Sequence, residues 1–147
     1  MAEVKLDAGG LTAFLVEVFP HVADSYRIGP VAPMAVEVRL LVGERHLRPG
    51  GTVSGPSMFE LADLAMYAVV LAMIGPVALT VTTNATIDFL RKPQAGRDLI
   101  GKARLLKLGR SLAVGDVLIF SEGMEAPVAR AGLTYAIPPG DRAGSVG

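Results

Sequence analysis

The longest apolar run of the chain constrains its fold more than any other feature. It covers residues 58–74, reads MFELADLAMYAVVLAMI, and carries charge only at Glu60 and Asp63. A membrane-spanning helix needs about 20 residues and rarely contains acids, and Gly75 and Pro76 end this run early. We therefore predict a long helix, apolar on nearly all sides, that is buried inside a soluble domain rather than in a membrane.

Helix and strand patterns flank this central run. Residues 11–26 have apolar positions at helical spacing and predict a short amphipathic helix that Pro20 ends or kinks. A short strand is expected at 26–28, and the alternation at 34–42 predicts a half-buried strand. Four more strand segments with short links predict an antiparallel meander: 77–90, 98–108, 111–121 and 127–137.

This order of elements predicts the fold class. A flat sheet cannot enclose one long apolar helix, whereas a strongly curved antiparallel sheet can wrap around it. We predict a single α+β domain over residues 1–137, followed by a flexible tail at 138–147, PPGDRAGSVG.

Composition and charge exclude several classes of function. The chain has no cysteine and only two histidines, so thiol nucleophiles, thiolate metal sites and histidine-rich metal sites are not expected. A formal net charge of zero argues against nucleic acid as a partner. The N-terminus lacks the pattern of a signal peptide, so a cytoplasmic location is the expectation.

The start of the central helix is a candidate binding site. Ser54 suits the helix cap, Pro56 suits the first helical position, and Gly55 permits close approach of a ligand. Free backbone N–H groups and the helix dipole favour an oxyanion or a phosphate there. With a nearby carboxylate as base or nucleophile, such a site serves acyl transfer.

Asp63 is the candidate carboxylate. The helix dipole favours an acid in the first turn, which explains Glu60 as a helix-start charge but explains Asp63, two turns in, less well. A buried aspartate among apolar neighbours needs partners or a function. Tyr67 lies four residues beyond Asp63, near the same helix stripe. The alternative is that both acids serve only the helix dipole.

The strand VALTVTTNATIDFL contributes polar candidates. Regular alternation places Thr83 on the face that carries Val81 and Ala85, and places Thr82 and Asn84 on the other face. Thr83 is thus expected to turn its hydroxyl toward the helix and to orient a water molecule. The alternative is a β-branched residue that merely packs well in a strand. The other face is expected to meet solvent or a partner subunit.

A family resemblance rests on three parts of the sequence. "GTVSGP", the apolar helix with Asp63, and "TIDFLRKPQAGRDLIGKARLLKLGRSLAVGDV" together resemble the hotdog-fold acyl-CoA thioesterases, in particular the phenylacetyl-CoA thioesterase (PaaI-like) group. The resemblance covers about residues 34–137. It implies a curved sheet around a central helix, a homodimer or a homotetramer built as a dimer of dimers, and active sites at the dimer interface. It also implies coenzyme A as part of the substrate, with no separate cofactor and no metal.

The positions of the family motif can be matched to this sequence residue by residue. Asp63 lies nine positions after Ser54, which stands where the family has its histidine, so the resemblance implies that Asp63 is the catalytic carboxylate. Gly55 matches the glycine whose N–H polarises the thioester carbonyl. Arg48 replaces the usual asparagine and Pro56 the second glycine, so the acyl end of the pocket is expected to differ.

Two further segments match the family. Thr82 and Thr83 lie where it often has a water-orienting hydroxyl supplied across the dimer interface, and "FLRKP" resembles the strand end near the coenzyme A phosphates. The expected catalytic residues are Asp63, Gly55, Ser54 and Thr83. The expected substrate-binding residues are Arg48, Pro56, Glu60, Tyr67, Thr82, Asn84, Arg91 and Lys92.

Three functional hypotheses remain open at the level of sequence. The first is an acyl-CoA thioesterase that uses Asp63. The second is a non-catalytic protein that binds acyl-CoA or another small ligand, which the lost histidine favours. The third is a hotdog dehydratase or hydratase, which normally pairs a histidine with an acid, and neither histidine lies near Asp63 in the pattern.

Overall fold

The computed structural model describes residues 3–139. Met1, Ala2 and most of the predicted tail, residues 140–147, lie outside the described part. The helices are α1 (Ala8–Val18), α2 (Pro20–Ala23) and α3 (Gly55–Ile74), with a 3₁₀ turn at Glu44–His46. The strands are β1 (Tyr26–Ala32), β2 (Ala35–Leu40), β3 (Val81–Phe89), β4 (Leu99–Leu108), β5 (Leu112–Ser121) and β6 (Ala129–Ala136).

The N-terminal helix has a defined start and a break where one was predicted. Asp7 caps α1, since its carboxylate accepts a hydrogen bond of 2.9 Å from the Gly10 N–H. Pro20 begins the separate helix α2 directly after Phe19, because proline fits a first helical turn but not a helix interior. The short strand expected at 26–28 extends to Ala32 as β1.

The six strands form one antiparallel sheet in the order β1-β2-β4-β5-β6-β3. The meander from β4 through β5 to β6 is confirmed. The prediction that β3 begins this meander is wrong, because β3 pairs with β6 at the far edge of the sheet. Short connections favour pairing of consecutive strands, but they do not require it.

The chain between β3 and β4 crosses the ends of two strands. The Leu90 N–H donates to the Val128 carbonyl (2.8 Å), and the Gln94 N–H donates to the Ser121 hydroxyl (3.0 Å). Three strand spacings span only about 15 Å, a distance that residues 90–98 cover easily. The crossing leaves β3 as an edge strand.

Helix α3 lies in the concave face of the curved sheet. Thirteen of its twenty residues are buried, which is why its sequence is apolar on nearly all sides. It is long and apolar enough to cross a membrane by length and composition, but most of it is buried as the core helix of the domain. Leu11 and Leu15 of α1 join the same core. The predicted α+β hotdog fold is confirmed.

One close contact shows how tightly the sheet wraps the helix. At Gly115 of β5, a Cβ atom would lie 2.6 Å from the Arg104 carbonyl oxygen and 2.8 Å from the sulfur of Met66 in α3. Only glycine lets the strand approach the helix this closely.

Candidate active site

The start of α3 carries a free backbone donor. The Ser54 hydroxyl caps the helix by accepting the Ser57 N–H at 3.3 Å, as predicted. Gly55 is the first helical residue and Pro56 the second, one position later than predicted for the proline. Within residues 3–139 the Gly55 N–H has no hydrogen-bond partner, Pro56 has no N–H, and the cap occupies that of Ser57. Gly55 therefore has the one free N–H among the first three helical residues.

The aromatic ring of Phe89, at the end of β3, lies against this glycine. A Cβ atom at Gly55 would be 3.2 Å from the tip of the ring. The absence of a side chain at Gly55 therefore allows the strand end to approach the helix start.

The Asp63 carboxylate is half-buried and is held through one oxygen. Its Oδ1 accepts the Thr82 hydroxyl at 2.6 Å and the Tyr135 hydroxyl at 2.7 Å. The Tyr135 hydroxyl also lies 2.9 Å from the Asp63 carbonyl oxygen. Within residues 3–139 the second carboxylate oxygen, Oδ2, has no hydrogen-bond partner. The carboxylate is thus fixed in orientation and has one oxygen available.

The phenol of Tyr135 remains protonated in this environment. Tyr135 is only 2% exposed. Burial raises its pKa far above the ordinary value, and the Asp63 charge raises it further, while a hydrogen bond with Thr82 partly opposes the shift. A neutral phenol is a donor toward the carboxylate at any working pH.

The prediction that Thr83 turns toward the helix is wrong. The pairing of β3 with β6 shifts register between Thr82 and Asn84, and the extra residue of this bulge reverses the side-chain alternation. The Thr83 hydroxyl donates instead to the Thr134 carbonyl at 3.3 Å, and Thr82 reaches Asp63. No glycine or proline marks the bulge in the sequence.

Asp63 opens into a cleft of about 290 Å³ beneath the junction of α1 and α2. The ring of Phe19 meets that of Tyr67 edge to face, 5.6 Å between centroids. The Tyr67 hydroxyl donates to the Ala78 carbonyl at 3.1 Å, and burial raises the pKa of Tyr67. The lining of this Asp63 cleft comprises Phe19, Val22, Glu60, Asp63, Leu64, Tyr67, Thr80, Thr82 and Tyr135.

Glu60 separates the Asp63 cleft from a second cleft. Its Oε1 accepts the Tyr26 hydroxyl at 2.7 Å, an arrangement that resembles the pairing of Tyr135 with Asp63. The second cleft, of about 340 Å³, is called the Arg45 cleft below. Its lining comprises His21, Val22, Ser25, Tyr26, Arg45, His46, Pro56, Ser57 and Glu60.

Four residues that were expected to bind substrate lie apart from both clefts within one chain. Arg48 is exposed in the turn before α3, where its N–H donates to the Thr52 carbonyl (2.9 Å). Asn84 is exposed on the edge strand β3. Arg91 and Lys92 are exposed after β3, and the Arg91 guanidinium donates to the Pro127 carbonyl.

The two tyrosines that hold the acids were missed at the level of sequence. Tyr135 lies 72 residues from Asp63, and Tyr26 lies 34 residues from Glu60. The alternation of β6 provides a signal, since it places Tyr135 on the same face as Leu133 and Ala131. A tyrosine in such a row needs a partner for its hydroxyl.

Between residues 3 and 139, no group of three or more histidine, aspartate or glutamate side chains is arranged to hold a metal ion.

The spacing of Gly55 and Asp63 limits their cooperation. They are eight positions apart in the α-helix, which is about 12 Å along the helix axis. Direct attack on a carbonyl group that both groups contact needs the N–H at about 3 Å from the carbonyl oxygen and the carboxylate oxygen at about 3–3.5 Å from the carbonyl carbon. The spacing is therefore too long for the Asp63 carboxylate of one chain to attack directly a carbonyl group that accepts the Gly55 N–H of the same chain.

The comparisons with known proteins agree with this fold. The model of the family "Thioesterase superfamily" matches residues 50–128. A thioesterase candidate from Silicibacter sp. TM1040 is 63% identical over 94% of this chain and 96% of its own, with a TM-score of 0.88. No curated protein matches the chain.

Two more distant structures share the fold. A mutant of the phenylacetic acid degradation protein PaaI from Thermus thermophilus is 25% identical, covers 81% of this chain and 99% of its own, and has a TM-score of 0.69. A hypothetical thioesterase with coenzyme A from Streptococcus pneumoniae is 23% identical, covers 87% of this chain and 96% of its own, and has a TM-score of 0.73. The predicted family is confirmed: the chain belongs to the thioesterase superfamily.

Proposed function

We propose that this protein hydrolyses acyl-CoA thioesters to a free acid and coenzyme A. The observation that carries the proposal is the Asp63 carboxylate, whose Oδ1 is fixed by Thr82 and Tyr135 while Oδ2 stays available at a cleft. Family membership supports thioester chemistry, and the coenzyme A in the Streptococcus pneumoniae relative supports this class of thiol.

Asp63 acts on the thioester in one of two ways. As a base, Oδ2 removes a proton from water while the water oxygen bonds to the carbonyl carbon. As a nucleophile, Oδ2 bonds to that carbon itself, and water then cleaves the resulting anhydride. In both routes the C–S bond breaks, the electron pair leaves on sulfur, and the thiolate takes up a proton.

The Gly55 N–H is the proposed donor to the oxyanion that forms in either route. It lies at the positive end of the α3 dipole and has no protein partner in the described residues. Because Gly55 and Asp63 of one chain lie about 12 Å apart along the helix axis, we propose that a second copy completes each site. One chain then supplies the N–H and its partner the carboxylate.

The edge strand β3 is the proposed contact between the copies. It is nine residues long and exposes Val81 and Phe89, each 53% accessible. A long edge strand with exposed apolar side chains favours pairing with another strand. Thr82 and Phe89 lie on this strand, so the contact passes beside both halves of the site.

A non-catalytic acyl-CoA or small-ligand binding protein is the second candidate. The observation that favours it is Ser54, which caps the helix through its hydroxyl at the position where the family has a histidine. A serine supplies no imidazole to bind or orient the thioester.

Release of free thiol from a panel of acyl-CoA thioesters tests the proposal. The panel contains acetyl, hexanoyl, adipyl and phenylacetyl esters, and calorimetry follows the binding of the same esters. Turnover of at least one ester with a kcat in the range of ordinary enzymes, about 1 s⁻¹ or more, supports the thioesterase. Saturable binding without thiol release would support the binding protein instead.

A further inference from the structure

The Arg45 cleft has hydrogen-bond donors that the proposed hydrolysis does not use. Pro56 and Ser57 line it, so it opens beside the first turn of α3, which begins at Gly55. Val22, Pro56 and the ring of Tyr26 supply apolar surface suited to methylene groups. Gly55 directly precedes Pro56 in the chain, so an acyl chain whose carbonyl oxygen accepts the Gly55 N–H begins one residue away from this lining.

The guanidinium of Arg45 brings a positive charge without an acidic partner. It donates to the Ser25 hydroxyl, which is neutral. None of the ion pairs within residues 3–139 includes Arg45. A guanidinium has five N–H donors in a planar fork that matches a carboxylate, and one hydroxyl acceptor leaves most of them free.

His46 adds a donor in a fixed position. It is only 6% exposed, and its Nδ1 accepts the Gly43 N–H at 2.8 Å, so the neutral ring has its proton on Nε2. Nε2 has no hydrogen-bond partner in the described residues. No buried side-chain nitrogen or oxygen there lacks a partner, so Nε2 reaches solvent, and His46 lines the Arg45 cleft.

The donor of His46 is neutral at ordinary pH. Burial, followed by the nearby Arg45 charge, lowers the pKa of His46, and Glu60 only partly opposes this shift. The ring therefore presents a neutral N–H beside the cationic guanidinium rather than a second charge.

We propose that the Arg45 cleft binds a carboxylate at the far end of the acyl chain, so that the preferred substrates are thioesters of dicarboxylic acids. This inference rests on the proposed thioesterase function. Arg45 pairs with the carboxylate through charge-assisted hydrogen bonds, and the Nε2–H of His46 donates to one of its oxygens.

Glu60 sets the position of the bound carboxylate. It lines the same cleft with one oxygen held by Tyr26, and its negative charge repels an anionic ligand. The carboxylate therefore binds on the Arg45 side, away from the border with the Asp63 cleft. The two charged residues must then have opposite effects on selectivity.

The test compares kcat/KM for adipyl-CoA and hexanoyl-CoA, which differ only in the terminal group. We expect the wild type to prefer adipyl-CoA about tenfold or more, since a hydrogen bond to a charged group contributes that much. Arg45→Gln should lose about tenfold on adipyl-CoA and little on hexanoyl-CoA. Glu60→Gln, which keeps an acceptor for Tyr26, should raise the adipyl-to-hexanoyl ratio severalfold.

The control variant is Arg110→Gln. Arg110 is an exposed arginine after β4 that lines neither cleft, and its variant should keep the wild-type ratio. A wild type that hydrolyses hexanoyl-CoA at least as well as adipyl-CoA would overturn the dicarboxylate proposal while leaving the thioesterase in place.

Thioesters of N-acetylcysteamine, which lacks the phosphates of coenzyme A, separate two sources of the anion. If Arg45→Gln weakens both coenzyme A esters equally but neither N-acetylcysteamine ester, Arg45 binds a phosphate and the proposal is wrong. If no ester is hydrolysed, the proposed function fails. NMR titration of His46 with adipate and hexanoate then tests separately whether the Arg45 cleft binds a carboxylate. A shift with adipate only, abolished in Arg45→Gln, supports a carboxylate site, and no shift contradicts it.

Discussion

The Thr82 hydroxyl lies 2.6 Å from Oδ1 of Asp63, although the two residues are 19 positions apart in sequence, on either side of the end of helix α3. A bulge in the edge strand creates this contact, because it turns Thr82 rather than Thr83 toward the helix. The strand that fixes one oxygen of the carboxylate is also the strand that we propose as the contact with a second copy. The orientation of Asp63 and the assembly of the site are therefore linked.

The bulge predicts unequal effects of two neighbouring substitutions. Thr82→Val removes a hydroxyl that donates to the carboxylate, and we expect kcat to fall about tenfold, in line with the loss of one hydrogen bond to a charged group. Thr83→Val removes only a long bond of 3.3 Å to a backbone carbonyl and should lose much less. Steady-state thiol release checks both, and a larger loss in Thr83→Val would contradict the proposed role of Thr82.

Tyr135 is expected to position the carboxylate without touching substrate. Tyr135→Phe keeps the ring but removes the donor at 2.7 Å, so kcat should fall about tenfold with little change in KM. The unfolding free energy should fall by about 1–2 kcal/mol, because a buried hydrogen bond is lost.

Tyr67→Phe is the matched control for this substitution. This substitution also removes a phenol hydroxyl from the same cleft. That hydroxyl donates to the Ala78 carbonyl and not to Asp63. We expect a clearly smaller loss of kcat. Equal losses in the two variants would show that general packing of the cleft, rather than the bond to Asp63, explains the effect.

Local sequence signals predicted the central helix but could not predict these contacts. The apolar run and the Ser54 cap are features of consecutive residues, so the bounds of α3 could be read closely from sequence. The strand order depends on where the chain from 90 to 98 crosses the sheet, and the partner of Asp63 depends on Tyr135, 72 residues away. The bulge follows from the pairing of β3 with β6, and no glycine or proline in the sequence indicates its position.

The edge of β3 predicts a link between assembly and activity. Val81 is 53% exposed there, and Val81→Asp places a charge on the proposed contact between copies. We expect the molar mass from light scattering to fall about twofold, and thiol release to fall with it, because each site then lacks either its N–H or its carboxylate. Leu106→Asp, at an equally exposed apolar position on β4 (58%), should retain the assembled mass. A fully active monomer would contradict the composite site.

His46 predicts a component of the pH dependence of stability. Its pKa is lowered in the folded state, chiefly by burial, so the unfolded chain binds this proton first as the pH falls. Its stabilising contribution is complete above about pH 6.5, the ordinary histidine value, and is lost as the pH falls toward the folded-state value. Urea unfolding at pH 7.5 and 5.5 should show a smaller loss of stability for His46→Gln than for the wild type. An equal loss of stability in His46→Gln and the wild type would mean that the buried ring does not stay neutral. His21→Gln serves as the matched control.

Asp63→Asn tests the central claim most directly. The amide has nearly the same shape and keeps an acceptor for Thr82 and Tyr135, but it cannot act as a base or as a nucleophile. We measure kcat on the best acyl-CoA of the panel, with circular dichroism and light scattering to establish that fold and assembly are retained. The account predicts a loss of at least about a hundredfold, the scale of general base catalysis, with binding of the ester retained. A folded, assembled Asp63→Asn protein with wild-type kcat would contradict it.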